Sequence, residues 1–429
     1  MKSYHFDTLQ VHAGNDYNTA EGSCATPIHQ TASFRFKSAE HARRLFSLQE
    51  NGNIYTRLSN PTVEIFEKRI TALEGGSASV ATSSGQAAQF IAIQNIAEKG
   101  DNIVCSSSLY GGTYSQFRHS LARFGVEVRF TRGDHFPDSL FDQNTKALYI
   151  ETIGNSDLFI PDFEAIADLC RKKQIPMIID NTFGAAGYLF RPLEWGANIV
   201  TASATKWIGG HGNSIAGVLT DCANFDWGCG KFRQFTEPSP SYHGLSFWEQ
   251  FGAASPSGNI AFAVKARAEG LRDWGCSLSP FNAFLLLQGV ETLSLRIDRT
   301  VSNAQELSEW LLSHPTVESV NYPGLKSNPN YDNAKKYFKR GFGGVIYFTL
   351  KGGRDKCSKL TESLDLITHL VNIGDCKTLI SHPASTTHAQ LNSSELEAAG
   401  IKENMLRISL GIEHIEDIKS DLEQALKRI

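Results

Sequence analysis

The sequence lacks the marks of several protein classes. Its longest apolar stretches, such as residues 283–287, fall far short of the roughly 18 residues that a membrane span needs. The N-terminal segment has no apolar core of the kind that defines a secretory signal peptide. The eight cysteines include no Cys-x-x-Cys pair, and the thirteen histidines show no metal-ligand spacing. We therefore expect a cytoplasmic protein with reduced thiols, no membrane partner and no metal site.

An excess of charge of one sign is also missing. The chain carries 41 Lys and Arg against 45 Asp and Glu, which gives a formal net charge of −4. Because no basic surplus is available to follow a phosphate backbone, we expect no nucleic-acid partner. The sequence contains neither a Gly-x-x-x-x-Gly-Lys-[Ser/Thr] loop nor a Gly-x-Gly-x-x-Gly loop, so nucleotide sites of those two types have no support.

What the sequence does contain is an alternation of strand and helix patterns after residue 60. Five short apolar runs are separated by helical segments, and they cover 103–105, 126–130, 147–150, 177–179 and 199–200. In the clearest helical segment, Phe163, Ile166 and Cys170 recur at helical spacing behind Asp162 as a start signal. Short buried strands between helices predict an α/β fold with a mostly parallel sheet sandwiched by helices.

The second half of the chain shows a different pattern. Residues 221–260 are rich in Gly, Pro, Ser and aromatic residues and predict a long ordered loop of functional use. A helical pattern then runs over 279–313, and strand patterns follow at 343–350 and 406–410. The apolar stripe of 415–429 predicts a last helix. This order of elements indicates a smaller second α/β domain.

These patterns predict three regions in a chain of 429 residues, which is long enough for two or three domains of roughly 100–200 residues each. Residues 1–60 are irregular and form an N-terminal arm. Residues 61–265 form the large domain around the parallel sheet. Residues 266–429 form the C-terminal domain.

Two charged residues stand at the ends of predicted strands. Lys206 lies beyond the run 199–200, beside the hydroxyls of Ser203 and Thr205. Such a lysine can form a Schiff base while the hydroxyls donate to a phosphate, although a solvated lysine in a polar turn is the alternative. Asp180 ends another strand, at the sheet edge where α/β ligands bind. It could keep a pyridinium nitrogen protonated, or it could be an ordinary turn residue.

Three further segments suit the same kind of ligand. Ser84, Gly85 and Gln86 precede a helical run, where the first N–H groups attract phosphate; a plain helix cap is the alternative. Tyr110 precedes two glycines and could stack on a flat cofactor, or it could be a core tyrosine beside a turn. Arg407 lies in an apolar strand and could bind an amino-acid carboxylate, or it could form a structural salt bridge.

Taken together, these residues resemble the fold-type I, pyridoxal-phosphate-dependent enzymes of Cys/Met metabolism. The segments that carry the resemblance are Tyr-Thr-Arg at 55–57, Ser-Asn-Pro-Thr at 59–62, Ser-Ser-Gly at 83–85, Tyr-Gly-Gly-Thr at 110–113, Asp-Asn-Thr at 180–182, Ser-Ala-Thr-Lys at 203–206, and the segments 382–388 and 407–411. The resemblance covers nearly the whole chain. It implies a fold-type I transferase fold in which 61–265 binds pyridoxal 5'-phosphate and the arm 1–60 contacts a neighbouring subunit.

The resemblance also implies a role for each site residue. Lys206 forms the covalent aldimine with the cofactor and moves protons, Asp180 pairs with the ring nitrogen, and Tyr110 stacks on the ring and assists proton transfer. The remaining roles are phosphate binding by Ser84, Gly85, Gln86, Ser203 and Thr205, phosphate binding in the neighbouring subunit by Tyr55 and Arg57, contact with the phenolic oxygen and the substrate by Asn155, and substrate carboxylate binding by Arg407 with Asn372 nearby. The active unit is then a dimer, within a homotetramer.

Within the family, the segments 151–155, 235–244 and 372–375 are similar to those of the O-acetylhomoserine sulfhydrylase subfamily. This likeness implies γ-replacement of the acetyl ester of O-acetyl-L-homoserine by sulfide, which gives L-homocysteine and acetate in methionine biosynthesis. A γ-elimination lyase, a cystathionine γ-synthase and a cofactor-free doubly wound binding protein are the alternatives. Methionine γ-lyases tend to have Cys where this chain has Gly112, which argues against that activity. We further expect the loop 238–244 to roof the pocket and to favour acetyl over succinyl esters.

Overall fold

The structure, a computed structural model, describes residues 4–15, 22–256, 258–386 and 402–429. Within these ranges the chain forms one sheet of seven strands and one of five. The end of the segment 382–388, Thr387 and His388, lies outside the described residues. Among the helices of these ranges, none is both long enough and apolar enough to cross a membrane.

The seven-stranded sheet has the order β1-β7-β6-β5-β4-β2-β3. Its strands are β1 (Ala78–Thr82), β2 (Asn102–Ser106), β3 (Glu127–Thr131), β4 (Thr145–Glu151), β5 (Met177–Asp180), β6 (Ile199–Ser203) and β7 (Gly217–Asp221). The neighbours from β6 to β3 pair in parallel, and β7 alone runs antiparallel to both its neighbours. The predicted mostly parallel sheet is therefore confirmed.

Alternation along the central strands builds a layer on each face of this sheet. Leu148 and Ile150 of β4 pack into one hydrophobic core, and Ala147 and Tyr149 pack into another. Successive side chains of a strand point to opposite faces, so each core belongs to one face. The helix Pro61–Glu74 contributes to the first core and Gly85–Gln94 to the second, which places the sheet between helices.

The helices follow the local start signals of the sequence. Asn60 accepts a hydrogen bond from the Thr62 N–H and precedes Pro61 at the first helical position. The α-helices are Phe6–His12, Ala39–Phe46, Pro61–Glu74, Gly85–Gln94, Gly111–Ser115, Leu121–Arg123, Phe163–Lys173, Arg233–Thr236, Phe247–Phe251, Ala261–Lys265, Arg272–Trp274, Pro280–Val290, Leu293–Ser313, Tyr331–Tyr337, Arg354–Glu362 and Ile415–Leu426. Short π-helical segments at Gln116–Ser120 and Ala266–Leu271 continue two of them, and 3₁₀ turns lie at Asp138–Leu140, Pro192–Trp195, Pro240–Tyr242 and Pro383–Ser385.

The middle of the chain differs from expectation in two details. The described residues of the region 221–260 are ordered, as expected, but they include the short helices Arg233–Thr236 and Phe247–Phe251 and a 3₁₀ turn, and Phe235 and Phe247 are fully buried. The helical pattern over 279–313 is two helices, since Glu291 and Thr292 interrupt it. Aromatic side chains fix the first region, as Trp227 and Phe235 stack with ring centroids 4.7 Å apart.

The five-stranded sheet forms the C-terminal part and has the order β10-β11-β12-β9-β8. Its strands are β8 (Val317–Asn321), β9 (Val345–Leu350), β10 (Thr368–His369), β11 (Leu379–Ser381) and β12 (Met405–Ser409). A third core lies between this sheet and the helices Leu293–Ser313 and Ile415–Leu426. Tyr347 of β9 nevertheless packs into the first core of the large sheet. The domain boundaries after residues 60 and 265 stay a prediction.

Candidate active site

A cavity of about 440 Å³ lies where the two sheets meet. Glu151, Asp180 and Ser203 line it, and they are the last residues of β4, β5 and β6. The carboxyl ends of parallel strands are where α/β folds bind their ligands. Tyr347 and Arg407 line the cavity from the C-terminal sheet. The cavity, named here the pocket, is therefore built from both parts of the chain.

Lys206 follows β6 and places its amine in the pocket. Its Nζ donates a hydrogen bond to Asn372 Oδ1 at 2.5 Å. Burial, and then the positive charge of Arg407, lower the pKa of the Lys206 amine to about 8. Roughly a tenth of such amines are neutral at pH 7, against far fewer for an ordinary lysine. A buried amine with a lowered pKa is suited to act as a nucleophile.

Asp180 presents a carboxylate that the chain holds with hydroxyl and amide donors. Thr182 donates to Asp180 Oδ1 from its N–H at 2.9 Å and from its hydroxyl at 2.6 Å, and the Tyr149 hydroxyl donates to Oδ2 at 3.4 Å. Burial raises the pKa of Asp180, and these hydrogen bonds work against the rise. A protonated ring nitrogen beside this carboxylate would lower that pKa again.

The segment Ser84–Gln86 is both a helix cap and a pocket wall. Ser84 accepts a hydrogen bond from the Ala87 N–H, so the plain cap is present, and Gly85 and Gln86 begin the helix at the pocket. A Cβ atom on Gly85 would lie 2.8 Å from the Ser203 Cβ, so only glycine lets the helix start approach β6 so closely. Ser203 and Thr205 line the pocket beside it. The arrangement suits a phosphate at a helix N-terminus.

Tyr110 lies at the mouth of the pocket and is half exposed. It is the residue before the helix Gly111–Ser115, and its N–H donates to Glu151 Oε1 at 2.7 Å. A Cβ on Gly112 would overlap the Tyr110 ring, so this glycine lets the ring fold back over the helix start. The ring is free to stack on a flat ligand in the pocket.

Arg407 lies in the middle of β12 and is 9% exposed. Its guanidinium donates to Asn155 Oδ1 and to the Asn372 backbone oxygen, both at 3.4 Å. Both partners are amide oxygens, so they leave the positive charge of Arg407 unneutralised. A planar cation in this state suits a substrate carboxylate.

Three sequence-predicted groups are absent from the pocket of their own chain, as far as its described residues show. Tyr55 is exposed, and the Arg57 guanidinium lies 5.4 Å from the centre of the Tyr55 ring. Arg57 also donates a hydrogen bond to the backbone oxygen of Arg272, and neither side chain lines the pocket. Their action in a neighbouring subunit stays a prediction. The loop 238–244 does not roof this pocket, because the Tyr242 hydroxyl donates to the Ala268 oxygen instead. That expectation is wrong for the loop's own chain.

Pocket-lining residues to which sequence reasoning gave no role include Glu151, Gln89 and Tyr347. Glu151 ends β4 exactly where Asp180 ends β5, and the two residues are register partners. The strand-end rule that singled out Asp180 could therefore have found Glu151. Gln89 and Tyr347 carried no comparable signal, since one lies within a helix and the other within an apolar strand.

Comparison with known proteins agrees with this geometry. The model of the Cys/Met metabolism PLP-dependent enzyme family matches residues 7–427. The chain belongs to this family. Its sequence is 51% identical to O-acetyl-L-homoserine sulfhydrylase 1 of Thermus thermophilus, over 98% of this chain and 99% of that protein. It is 50% identical to homocysteine synthase of Schizosaccharomyces pombe, over 100% of this chain and 99% of that protein.

A solved structure is similar over the same length. A protein of Campylobacter jejuni that is assigned as an O-acetylhomoserine (thiol)-lyase superposes with a TM-score of 0.92 at 37% identity, covering 99% of this chain and all of that one. That structure contains a pyridoxyl-lysine phosphate, which is a covalent link between cofactor and lysine. The pocket of this chain fits the three polar ends of pyridoxal phosphate. The helix start at Gly85 suits its phosphate, the amine of Lys206 suits its aldehyde, and the carboxylate of Asp180 suits its ring nitrogen.

Proposed function

We propose that the family enzyme replaces the acetate of O-acetyl-L-homoserine by sulfide and so makes L-homocysteine for methionine biosynthesis. The observation that carries the proposal is one pocket that joins the Lys206 amine, the Asp180 carboxylate and the Arg407 guanidinium. The names of the relatives at 50–51% identity support the same reaction.

Each charged group would have one task. Pyridoxal phosphate, when bound, supplies the electron sink for carbanion chemistry. Lys206, Asp180 and the helix start at Gly85 would hold it by its aldehyde, ring nitrogen and phosphate. Arg407 would bind the substrate carboxylate with two parallel hydrogen bonds, which fixes the α-carbon in the pocket.

The proton steps fall to Lys206. A neutral amine can take the α-proton of the substrate and return it later, and a pKa of about 8 suits both directions near neutral pH. Asn372 accepts from the Lys206 Nζ and keeps that atom oriented. Lys206 passes the α-proton on and then takes a β-proton, so that the γ-carbon–oxygen bond breaks and acetate leaves with the bonding electrons. Hydrosulfide then adds at the γ-carbon, and protons return to the β- and α-carbons. Tyr110 at the pocket mouth is the second group able to move a proton.

The charges of the pocket favour an acetyl over a succinyl ester. Among the described residues that line it, the basic side chains are Lys206 and Arg407, and both already have tasks. The succinyl carboxylate would enter beside Asp180 and Glu151 without a cation of its own. An unpaired buried carboxylate is costly, so we propose the acetyl ester as the substrate.

We further propose a cytoplasmic homotetramer, a dimer of dimers in which Tyr55 and Arg57 reach the phosphate of the neighbouring subunit. Both side chains lie outside the pocket of their own chain, which supports this use. The low net charge of −4 and the absence of a basic surplus support small-molecule partners and no nucleic acid.

Product analysis tests the proposal. The purified holoenzyme is given O-acetylhomoserine or O-succinylhomoserine, with sulfide, with cysteine or with no thiol. We expect homocysteine from the acetyl ester and sulfide as the fastest reaction. Cystathionine as the main product would instead identify a cystathionine γ-synthase, and 2-oxobutyrate without a thiol would identify a γ-elimination lyase. Equal rates with both esters would contradict the choice of acetyl.

A further inference from the structure

Glu151 is a buried carboxylate that holds two parts of the pocket wall at once. It is 6% exposed and lines the pocket. Its Oε1 accepts the Tyr110 N–H at 2.7 Å, and its Oε2 accepts the Asn155 N–H at 2.9 Å. Tyr110 follows β2 and Asn155 follows β4, so one side chain ties together two separate turns.

The surroundings of Glu151 do not favour a charge there for stability alone. Burial raises the pKa of Glu151 well above its ordinary value, and the neighbouring charge of Asp180 raises it further. The two N–H groups act against this rise but bring no positive charge. A buried acid beside a second acid costs free energy of folding, so its use is better sought in what it positions.

The turn at Asn155 leads from Glu151 to the substrate carboxylate site. Asn155 Oδ1 accepts from the Arg407 guanidinium at 3.4 Å, and the Asn155 backbone oxygen accepts from the Tyr347 hydroxyl at 2.5 Å. A shift of Asn155 therefore moves a partner of Arg407. A shift of Tyr110 moves the ring at the pocket mouth.

We propose that Glu151 is a positioning residue of the active site, whose two carboxylate oxygens fix Tyr110 and Asn155 at a set separation for cofactor and substrate binding. The proposal rests on the proposed function for the identity of the substrate. It does not rest on it for the cofactor, because the family is pyridoxal-phosphate-dependent.

Asp157 provides a matched control in the same turns. Its Oδ2 accepts from the Ser108 hydroxyl at 2.8 Å, and its Oδ1 accepts from the Phe159 N–H at 3.1 Å. Burial raises the pKa of Asp157 as well. Asp157 thus ties the same two turns together, but it is not among the residues that line the pocket. Loss of general support for these turns would affect both carboxylates alike.

The experiment compares Glu151→Gln with Asp157→Asn. Glu151→Gln replaces one acceptor oxygen by an NH2 group, which cannot accept from the backbone N–H that faces it. Asp157→Asn makes the same replacement where the Ser108 hydroxyl can turn and accept from the NH2 group. For both variants we measure the melting temperature of the apoenzyme, the affinity of the apoenzyme for pyridoxal phosphate, the absorption spectrum of the bound cofactor, and kcat and KM for O-acetylhomoserine with sulfide. The wild-type enzyme is measured in parallel.

For Glu151→Gln we expect kcat/KM to fall roughly 10- to 100-fold, as for a misplaced catalytic group. We also expect weaker cofactor binding and a shifted absorption band, while the apoenzyme still unfolds in a single cooperative transition. Asp157→Asn should keep the affinity, spectrum and kinetics of the wild-type enzyme. Equal behaviour of the two variants would overturn the proposal and leave Glu151 a structural residue.

Glu151→Asp keeps the test open if the glutamine variant does not fold. It retains both carboxyl oxygens but shortens the reach by one methylene, and so it should show the same loss of cofactor affinity. Normal affinity and spectrum in Glu151→Asp would overturn the proposal. If the wild-type enzyme binds pyridoxal phosphate but forms no homocysteine, the proposed function fails. The comparison of cofactor affinities then still decides the role of Glu151.

Discussion

Asp421, a buried carboxylate of the C-terminal part, and the two carboxylates of the pocket have pKa values shifted in opposite directions. In the C-terminal part, Asp421 accepts hydrogen bonds from three successive backbone N–H groups, those of Asp365, Leu366 and Ile367, at 2.8–3.0 Å. Burial alone would raise the pKa of Asp421, yet these bonds hold it below the ordinary value. At the pocket, burial raises the pKa of both Asp180 and Glu151.

The cations of the pocket repeat this contrast. Lys206 and Arg407 contact amide oxygens of Asn155 and Asn372, so these contacts do not cancel their charge. Outside the pocket, the Arg267 guanidinium forms an ion pair with the buried Glu67, with Nη2 2.7 Å from Oε2. Arg267 and Glu67 neutralise each other within the chain, whereas the charges of Lys206 and Arg407 remain available to a ligand. Substitutions of these pocket residues should therefore lower activity more than they lower the unfolding free energy.

The largest effect should follow from removing the amine of the pocket. We expect Lys206→Ala to lower turnover by roughly a thousandfold or more, because the nucleophile and the proton carrier are lost together. The melting temperature of the apoenzyme should change little. Burying the Lys206 cation costs free energy of folding, and the alanine variant no longer has that cost. Activity assays and thermal unfolding of the apoenzyme check the two halves of this expectation. Near-normal turnover without added amine would show that another residue carries the cofactor.

The opposite outcome is expected for the satisfied acid. Asp421→Asn keeps one acceptor oxygen, which can still serve the Leu366 and Ile367 N–H groups, but the Asp365 N–H loses its acceptor and all three bonds lose the negative charge. This should cost about 2 kcal/mol of unfolding free energy. Turnover per folded chain should stay at the wild-type level. Denaturant unfolding measures the loss, with Asp417→Asn on the exposed face of the same helix as control, expected below about 1 kcal/mol.

The stability effect of Asp421 also has a defined pH dependence. Its folded pKa is lowered, so the stability it contributes is present above the ordinary Asp pKa of about 3.9 and is lost as the pH falls through the folded value. The difference between the wild-type protein and Asp421→Asn should be full at pH 7 and shrink below pH 4. A difference that stays constant down to pH 3 would contradict this account.

Sequence reasoning reached the pocket through the strand-end rule and missed what depends on distant packing. Asp180 and Lys206 follow apolar runs that are buried strands, so their position could be predicted locally. β1 has the sequence Ala-Ser-Val-Ala-Thr, whose small residues give little apolar signal, and β7 is specified by its antiparallel neighbours. The contact of Lys206 with Asn372 spans 166 residues and requires the two sheets to meet.

The wrong expectation about the loop 238–244 has a physical cause. Tyr242 and His243 were taken as donors for an acyl oxygen because of their polar ends. In the folded chain the buried rings of Phe235 and Phe247 anchor the loop in the second core, and Arg272 lies over the Tyr242 ring at 5.0 Å. The composition showed that the segment is rich in aromatic residues, but it did not show that they pack into the second core and not over the pocket.

The next prediction concerns the pH dependence of cofactor capture. The pKa of Lys206 is lowered to about 8, so the rate of pyridoxal phosphate capture by the apoenzyme should rise about tenfold per pH unit below pH 8 and level off above it. In Arg407→Met the Coulombic part of the shift disappears, and the midpoint should move to higher pH. Lys377→Met, whose charge is exposed outside the pocket, should leave it unchanged. Stopped-flow absorbance across pH 6–10 measures the midpoints, and equal midpoints in all three proteins would contradict the role of Arg407.

The smallest effect should come from a hydroxyl that supports the unneutralised Arg407. Tyr347 is the register partner of Arg407 in the neighbouring strand, is 5% exposed, and donates its hydroxyl to the Asn155 oxygen. The loss of one neutral hydrogen bond in Tyr347→Phe should raise KM for O-acetylhomoserine roughly 3- to 10-fold and change kcat less, since carboxylate binding rather than proton transfer is disturbed.

Tyr322 separates this effect from a loss of stability. Its hydroxyl is likewise buried and donates to the backbone oxygen of Gly343 at 3.0 Å, but it does not line the pocket. Tyr322→Phe should therefore lower the unfolding free energy by a similar amount of about 1 kcal/mol and leave KM at the wild-type value. If both variants raise KM equally, the hydroxyl of Tyr347 acts only through the stability of the C-terminal sheet. If only Tyr347→Phe does so, Arg407 depends on its strand neighbour for the orientation that binds the substrate.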